Sequence, residues 1–176
     1  MRGLFYRKAA VVLFIAGPIA LVYALGEAGL RFNATPSVPT GLYWISFDPA
    51  AEYVEFCPPE PFGTLSVQRG YRARLSGACA DAGVPLLKPI VARSGDLVEV
   101  SARGISVNRV PVPNTAPKTL DTALRPLIAW PFGGYEVAPG TAWVASSYNS
   151  RSFDSRYFGP ITEIAIRHRL RPIWTE

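Results

Sequence analysis

The chain has 176 residues, which bounds it to one compact domain with a short extra segment. Its formal charge of +5 falls to +2 once Arg2, Arg7 and Lys8 at the amino terminus are set aside, too even a balance for a nucleic-acid-binding surface. A single histidine argues against a metal centre, and nothing in the composition calls for a cofactor.

Residues 9–25 form a run of seventeen uncharged residues, the lower limit for a bilayer-spanning helix. Gly17-Pro18 predicts a kink of the kind membrane helices tolerate. Arg2, Arg7 and Lys8 precede the run and no acidic residue appears before Glu27, so the positive-inside rule places the amino terminus in the cytoplasm and the rest outside. Ala24-Leu25-Gly26-Glu27 is a weak cleavage signal, which favours an uncleaved anchor over a signal peptide. The expected organisation is therefore a cytoplasmic and membrane segment over 1–26 and an external domain over 27–176, in contact with inner-membrane lipid.

Residues 26–46 read as an extended, proline-punctuated approach, closing on a first strand at Leu42-Tyr43-Trp44-Ile45. Residues 47–83 are rich in Pro, Gly and Ala and read as a loop or small insertion. Cys57 and Cys79, an even count in an exported segment, predict one disulfide across it. Residues 84–93 read as a buried strand centred on Lys88, followed by a turn at Ser94-Gly95-Asp96 and a strand at Leu97-Val98-Glu99-Val100. Ile105-Ser106-Val107 and a tight turn at Asn108-Arg109 continue a meander. Residues 111–134, with five prolines, read as a surface loop. Thr141–Ala145 and Ile161–Ile166 read as the last strands, and no amphipathic helix is expected beyond the anchor. Arginines at 69, 72 and 74, and at 167, 169 and 171, have the spacing of a strand's solvent face. The fold class is mainly β, an irregular barrel or sandwich.

The chemistry rests on Lys88 first. It is one of only three lysines, with Lys8 and Lys118, and it lies in the apolar stretch Val84–Val91 of a chain that uses arginine fifteen times. Burial lowers a lysine pKa because the ammonium loses its hydration, and the neutral amine is a usable general base. Ser37 is the candidate nucleophile, held between Pro36 and Pro39 with Gly41 permitting a turn beyond. The same residues also suit an ordinary turn-forming linker and a lysine that snorkels out of an apolar strand. Between two apolar strands lies a third segment, 146–160, dense in polar side chains. There Asp154, Ser155 and Arg156 supply an acceptor, a hydroxyl and a fixed cation, suited either to a solvated turn or to orienting a lysine amine.

Ser37-x-Pro39-x-Gly41, Lys88 with Gly95-Asp96 after it, and Asn149 with Ser152-x-Asp154-Ser155-Arg156-x-x-Gly159 occur in order behind the apolar run. Together they resemble the serine–lysine signal peptidase family. Thr35–Tyr43 and Ser152–Pro160 are most similar to its conjugative-transfer branch, the TraF-type peptidases. Pro89 departs from the general pattern, which usually has an arginine after the lysine, and suits the smaller branch.

The resemblance implies a signal-peptidase-type fold and a periplasmic catalytic domain tethered to the inner membrane. It implies Ser37 as nucleophile and Lys88 as general base. The Ser37 amide and the Thr35 hydroxyl would form the oxyanion site, and Asp154 would matter for activity, either by orienting Lys88 or by acting through Ser155 and Arg156 on the loop. Asn149, Ser152, Ser155 and Arg156 form the supporting loop. The implied partner is a membrane-embedded precursor, a conjugative pilin in this branch, whose new ends some members join into a ring.

Three other readings compete: a general signal peptidase of broad substrates, a non-catalytic assembly factor of a pilus or secretion machine, and a serine–histidine site using His168. A soluble self-cleaving repressor also uses a serine–lysine pair, but the apolar amino terminus argues against it. His168 lies in a basic terminal strand or tail and is expected to be structural. Val38 and Leu87 flank the proposed site.

Overall fold

A computed structural model describes residues 16–75 and 78–176. Residues 16–27 are helical, and their apolar side chains stand in the open, Val22 and Tyr23 at 71% exposure. Among the described residues no helix is long and apolar enough to cross a membrane. The first seven residues of the expected 9–25 span lie outside the described residues.

Among the described residues eleven strands follow: β1 (Leu30–Asn33), β2 (Gly41–Ser46), β3 (Tyr53–Phe56), β4 (Leu86–Ala92), β5 (Leu97–Ser101), β6 (Gly104–Val107), β7 (Val110–Pro111), β8 (Gly133–Glu136), β9 (Thr141–Val144), β10 (Ile161–Thr162) and β11 (Ile166–Thr175). They make a seven-stranded sheet in the order β1-β2-β11-β3-β4-β9-β10 and a four-stranded sheet in the order β7-β6-β5-β8. The mainly β expectation holds, but neither sheet closes into a barrel among the described residues. Helices α1 (Phe62–Gln68) and α2 (Ser155–Phe158) interrupt the strands.

Alternation builds the small sheet: Val98 and Val100 of β5 point inward while Leu97 and Glu99 stand in solvent. Their inner face packs with Ile105, Val137, Trp143 and Ala145. The larger sheet buries Val54, Phe56, Ala142, Val144 and Ile161 with Phe153, Tyr157 and Phe158 from α2 and the segment before it. A third cluster, Val38, Tyr43, Tyr53 and Leu170, lies beneath the β1–β2 connection.

Four expectations change. Residues 47–83 are more than a loop: β3 sits at the centre of the large sheet between β11 and β4, and α1 follows it. No amphipathic helix is expected beyond the amino terminus, yet α1 turns Phe62 and Leu65 onto the core of the large sheet. The expected 161–166 strand is split, because the chain leaves β9 after Thr162, rounds a corner in a 3-10 turn at Glu163–Ala165 and begins the long β11 only at Ile166. Ile164, at 97% exposure, marks the corner.

The arginine pattern divides as well. Arg167 and Arg171 stand in solvent along β11, whereas Arg169 between them is half-buried and pairs with Glu163. Arg69 instead ends α1, and Arg72 is buried, its guanidinium donating to Ser66 Oγ at 2.7 Å, Gly63 O at 2.9 Å and Val84 O at 2.9 Å while pairing with Asp81. The Cys57–Cys79 disulfide is present, with Cα atoms 5.8 Å apart, and staples this excursion.

Candidate active site

Ser37 lies in the hairpin connection between β1 and β2, whose register runs from Leu30↔Trp44 to Asn33↔Gly41. Asn33, itself buried, organises the loop. Its Nδ2 donates to Thr35 O at 2.8 Å, Pro39 O at 3.1 Å and Val38 O at 3.3 Å, and its Oδ1 accepts from Thr35 N at 3.1 Å and Thr35 Oγ1 at 2.8 Å. Tyr43 pins the far side by donating to Pro39 O at 2.6 Å. Gly41 closes the loop at φ 137°, where a Cβ would come within 2.2 Å of the Trp174 carbonyl on β11. Val38 fills the core below, so the serine is held at 7% exposure with its Oγ 3.4 Å from Thr35 Oγ1.

Lys88 stands in the middle of β4, opposite Val54 of β3, and is 4% exposed. Burial lowers its ammonium from the ordinary 10.5 to about 8; the Asp154 carboxylate opposes the shift and the Arg156 guanidinium reinforces it. Ser37 and Lys88 line one cleft of about 450 Å³, together with Thr35, Asn149 and Ser152. No hydrogen bond joins Ser37 to Lys88 among the described residues. The hydroxyl of Ser152 is buried in the cleft wall with no hydrogen-bond partner among the described residues, an acceptor available to an ammonium.

Asp154 and Arg156 are completely buried and pair through two bonds, Nε to Oδ1 at 2.8 Å and Nη2 to Oδ2 at 3.0 Å. Asp154 also accepts the Ser146 N–H at 3.0 Å and caps α2 through Arg156 N at 3.2 Å. The other guanidinium hydrogens reach Asn114 O, Ser150 O and Ser146 O. With its oxygens so occupied, Asp154 reaches Lys88 only through its field and the loop only through Arg156. Ser155 accepts the Val144 N–H at 2.9 Å, tying α2 to β9. Asn149 shapes the turn that carries Ser152, accepting its N–H at 3.0 Å.

Leu87 lines the cleft, whereas Val38 lies under it. His168 faces Glu55 at 3.0 Å and is not among the cleft-lining residues, so nothing here unites it with Ser37. No group of metal-ligating side chains occurs among the described residues. Asn33 went unnoticed in the sequence, although an asparagine two residues before Thr35-Pro36 is a turn-forming signal. Lys118 and Arg151, which also face the cleft, carried no signal, since their loops meet only in the fold.

The signal peptidase, peptidase S26, family profile matches residues 11–174. A plasmid transfer protein TraF of Escherichia coli is 37% identical over 175 residues, covering 96% of this chain and 97% of that protein. A conjugal transfer protein TraF of Agrobacterium fabrum is 36% identical over 178 residues, with 96% and 97% covered. A solved signal peptidase I from Enterococcus faecalis aligns at a TM-score of 0.39 and 18% identity, over 72% of this chain and 99% of that one. The chain thus belongs to the signal peptidase family S26, within its TraF-type conjugative transfer branch.

Proposed function

We propose that this protein is a membrane-anchored serine endopeptidase that matures a pilin precursor for conjugative transfer. The observation that carries the reading is a lysine held at 4% exposure, with its pKa drawn down to about 8, in the same cleft as a serine on a clamped loop. Neutral Lys88 takes the Ser37 proton as Oγ attacks the scissile carbonyl, then returns it to the leaving amine. The Ser37 N–H donates to the oxyanion. In the resting loop the single Thr35 hydroxyl proton is directed to Asn33 Oδ1, so Thr35 serves as second donor only after turning its hydroxyl toward the substrate. Water or an amine then resolves the acyl-enzyme, giving a linear or a cyclic product.

The uncharged run 9–25 and the exposed apolar side chains of its described part support an inner-membrane anchor with the catalytic domain in the periplasm. β1 begins at Leu30, directly after the helical segment, which suits a substrate that is itself in the membrane.

The test is intact mass spectrometry of the cognate pilin precursor co-expressed with wild type or with Ser37→Ala. Processing by wild type alone is expected. A mature mass equal to the trimmed linear peptide means hydrolysis, and one lower by a water means cyclisation. Unprocessed precursor in both cells would favour the assembly-factor reading instead.

A further inference from the structure

The cleft carries more positive charge than the proposed chemistry uses. Two carboxylates face it, Glu55 and Asp121, and both are engaged. Glu55 Oε2 lies 3.0 Å from His168 Nδ1 and 3.4 Å from Arg31 Nε. Asp121 accepts from the Tyr71 hydroxyl at 2.6 Å, from Arg125 Nε at 2.6 Å, and from the backbone of Ala123 and Arg125. Of the lining cations, Arg31 is paired with Glu55 and Arg72 with Asp81. Lys88 is the buried base. That leaves Lys118 and Arg151, whose side chains make no hydrogen bond or ion pair among the described residues.

Both cations stand on anchored backbone. The Lys118 N–H donates to the Tyr157 hydroxyl at 3.0 Å, and the Arg151 N–H to Asn149 Oδ1 at 2.9 Å. The Arg156 guanidinium joins their two loops through the carbonyls of Asn114 and Ser150. Apolar lining from Leu120, Leu127 and Phe153 lies in the same cleft. Beyond Lys8 the whole chain carries only +2, so this excess is a local feature of the cleft.

We propose that Lys118 and Arg151 select a substrate peptide that bears an acidic side chain within a few residues of the scissile bond. The inference rests on the cleft being a peptidase site and adds the substrate class. Two cations carried on anchored backbone beside apolar side chains give a peptide ligand both a charge partner and an apolar contact. An anionic lipid headgroup offers the same charge, but the exposed apolar surface that suits a bilayer, on residues 16–25 and at Trp174, lies outside the cleft lining, which it meets at Phe32.

The test uses the full chain carrying Ser37→Ala in neutral detergent, so that affinity is read without turnover. Three rhodamine-labelled, amidated, alanine-rich decapeptides differ only in carrying two Glu, two Gln or two Lys at central positions. Fluorescence anisotropy is expected to show the Glu peptide binding about tenfold tighter than the Gln peptide, with the Lys peptide weakest. The double charge reversal Lys118→Glu/Arg151→Glu is expected to invert that order; both side chains are exposed, so it leaves the fold intact, which circular dichroism checks.

Equal affinities, including no measurable binding by any peptide, overturn the proposal. So does an order unchanged by charge reversal, and so does reversal that weakens binding to phosphatidylglycerol vesicles while leaving the peptide order as it was. Cleavage is read separately with Ser37 intact. Failure of wild type to cut the pilin precursor would count against the peptidase reading, whereas the affinity order stands or falls alone.

Discussion

A lysine ammonium at 4% exposure costs the fold stability at every pH where it stays protonated. A fall from 10.5 to about 8 corresponds to a cost of about 3 kcal/mol. The sign follows from the proton count. Below pH 8 both folded and unfolded chains hold the proton and the full cost applies. Between 8 and 10.5 the folded chain loses its proton first, so stability rises with pH, and above 10.5 neither state is charged and the cost is gone. Lys88→Met is therefore expected to raise stability by about 2–3 kcal/mol at neutral pH while abolishing activity, with the gain shrinking between pH 8 and 10.5. Urea denaturation across that range measures it; a destabilised Lys88→Met at pH 7 would refute the account. The same titration sets the rate: kcat/KM should climb about tenfold per pH unit up to about 8 and then level. Lys88→Arg keeps a fixed cation and should be as inactive as Lys88→Ala.

Asp154 shows why a second buried charge belongs beside that lysine. It balances Arg156, whose guanidinium binds three loop carbonyls. Asp154→Asn leaves Arg156 uncompensated in the interior, and a loss of about 3–5 kcal/mol is expected. It also removes the carboxylate that holds the Lys88 pKa up, so any residual activity should have its acid limb displaced to lower pH. A pH–rate profile unchanged in position would mean that Asp154 acts on the loop alone.

At the scale of elements, the disulfide-stapled excursion matters because it walls the cleft. Tyr71, Arg72 and Ala73 beyond α1, and Val84 and Pro85 before β4, all line it. The replacement Cys57→Ser/Cys79→Ser should cost about 3 kcal/mol and lower Tm by roughly 6–12 °C. Because Ser37 and Lys88 sit on other elements, a raised KM should exceed the fall in kcat. A kcat loss with unchanged KM would show that the excursion supports the dyad instead. The excursion is also where the sequence was hardest to read. Strands β4, β5, β6 and β9 announce themselves through apolar runs or period-two alternation bounded by turn residues. β3 is four residues long and hemmed by Ala and Pro, and only its placement between β11 and β4 makes it central. Arg72 looked like a solvent-facing arginine because nothing local reveals Asp81 folding back onto it. The buried lysine was legible because a lysine in an apolar strand is chemically odd wherever it lies. Lys118 and Arg151 were not, since unpaired surface cations acquire meaning only when two distant loops meet.

For the whole molecule, the decisive relation is between the cleft and the segment that precedes it. The helical residues end at 27 and β1 starts at Leu30, with Gly29 bonded through its carbonyl to Ile45 N at 2.9 Å, so the sheet that carries Ser37 is tied closely to the proposed anchor. A tether this short to a membrane anchor would fix the height of the serine above the bilayer and raise its effective concentration at a cleavage site near the membrane. A Gly/Ser linker of about 15 residues inserted between Glu27 and Ala28 has a mean span of roughly 20 Å and removes that constraint without touching the sheet. Cleavage of a soluble peptide should change by less than about twofold, whereas cleavage of a membrane-embedded precursor should fall by about tenfold or more. Parallel assays on both substrates, in vesicles, check it. Equal retention of both activities would show that the catalytic domain finds its substrate without help from the tether, and the anchor would then serve only to keep the enzyme at the membrane.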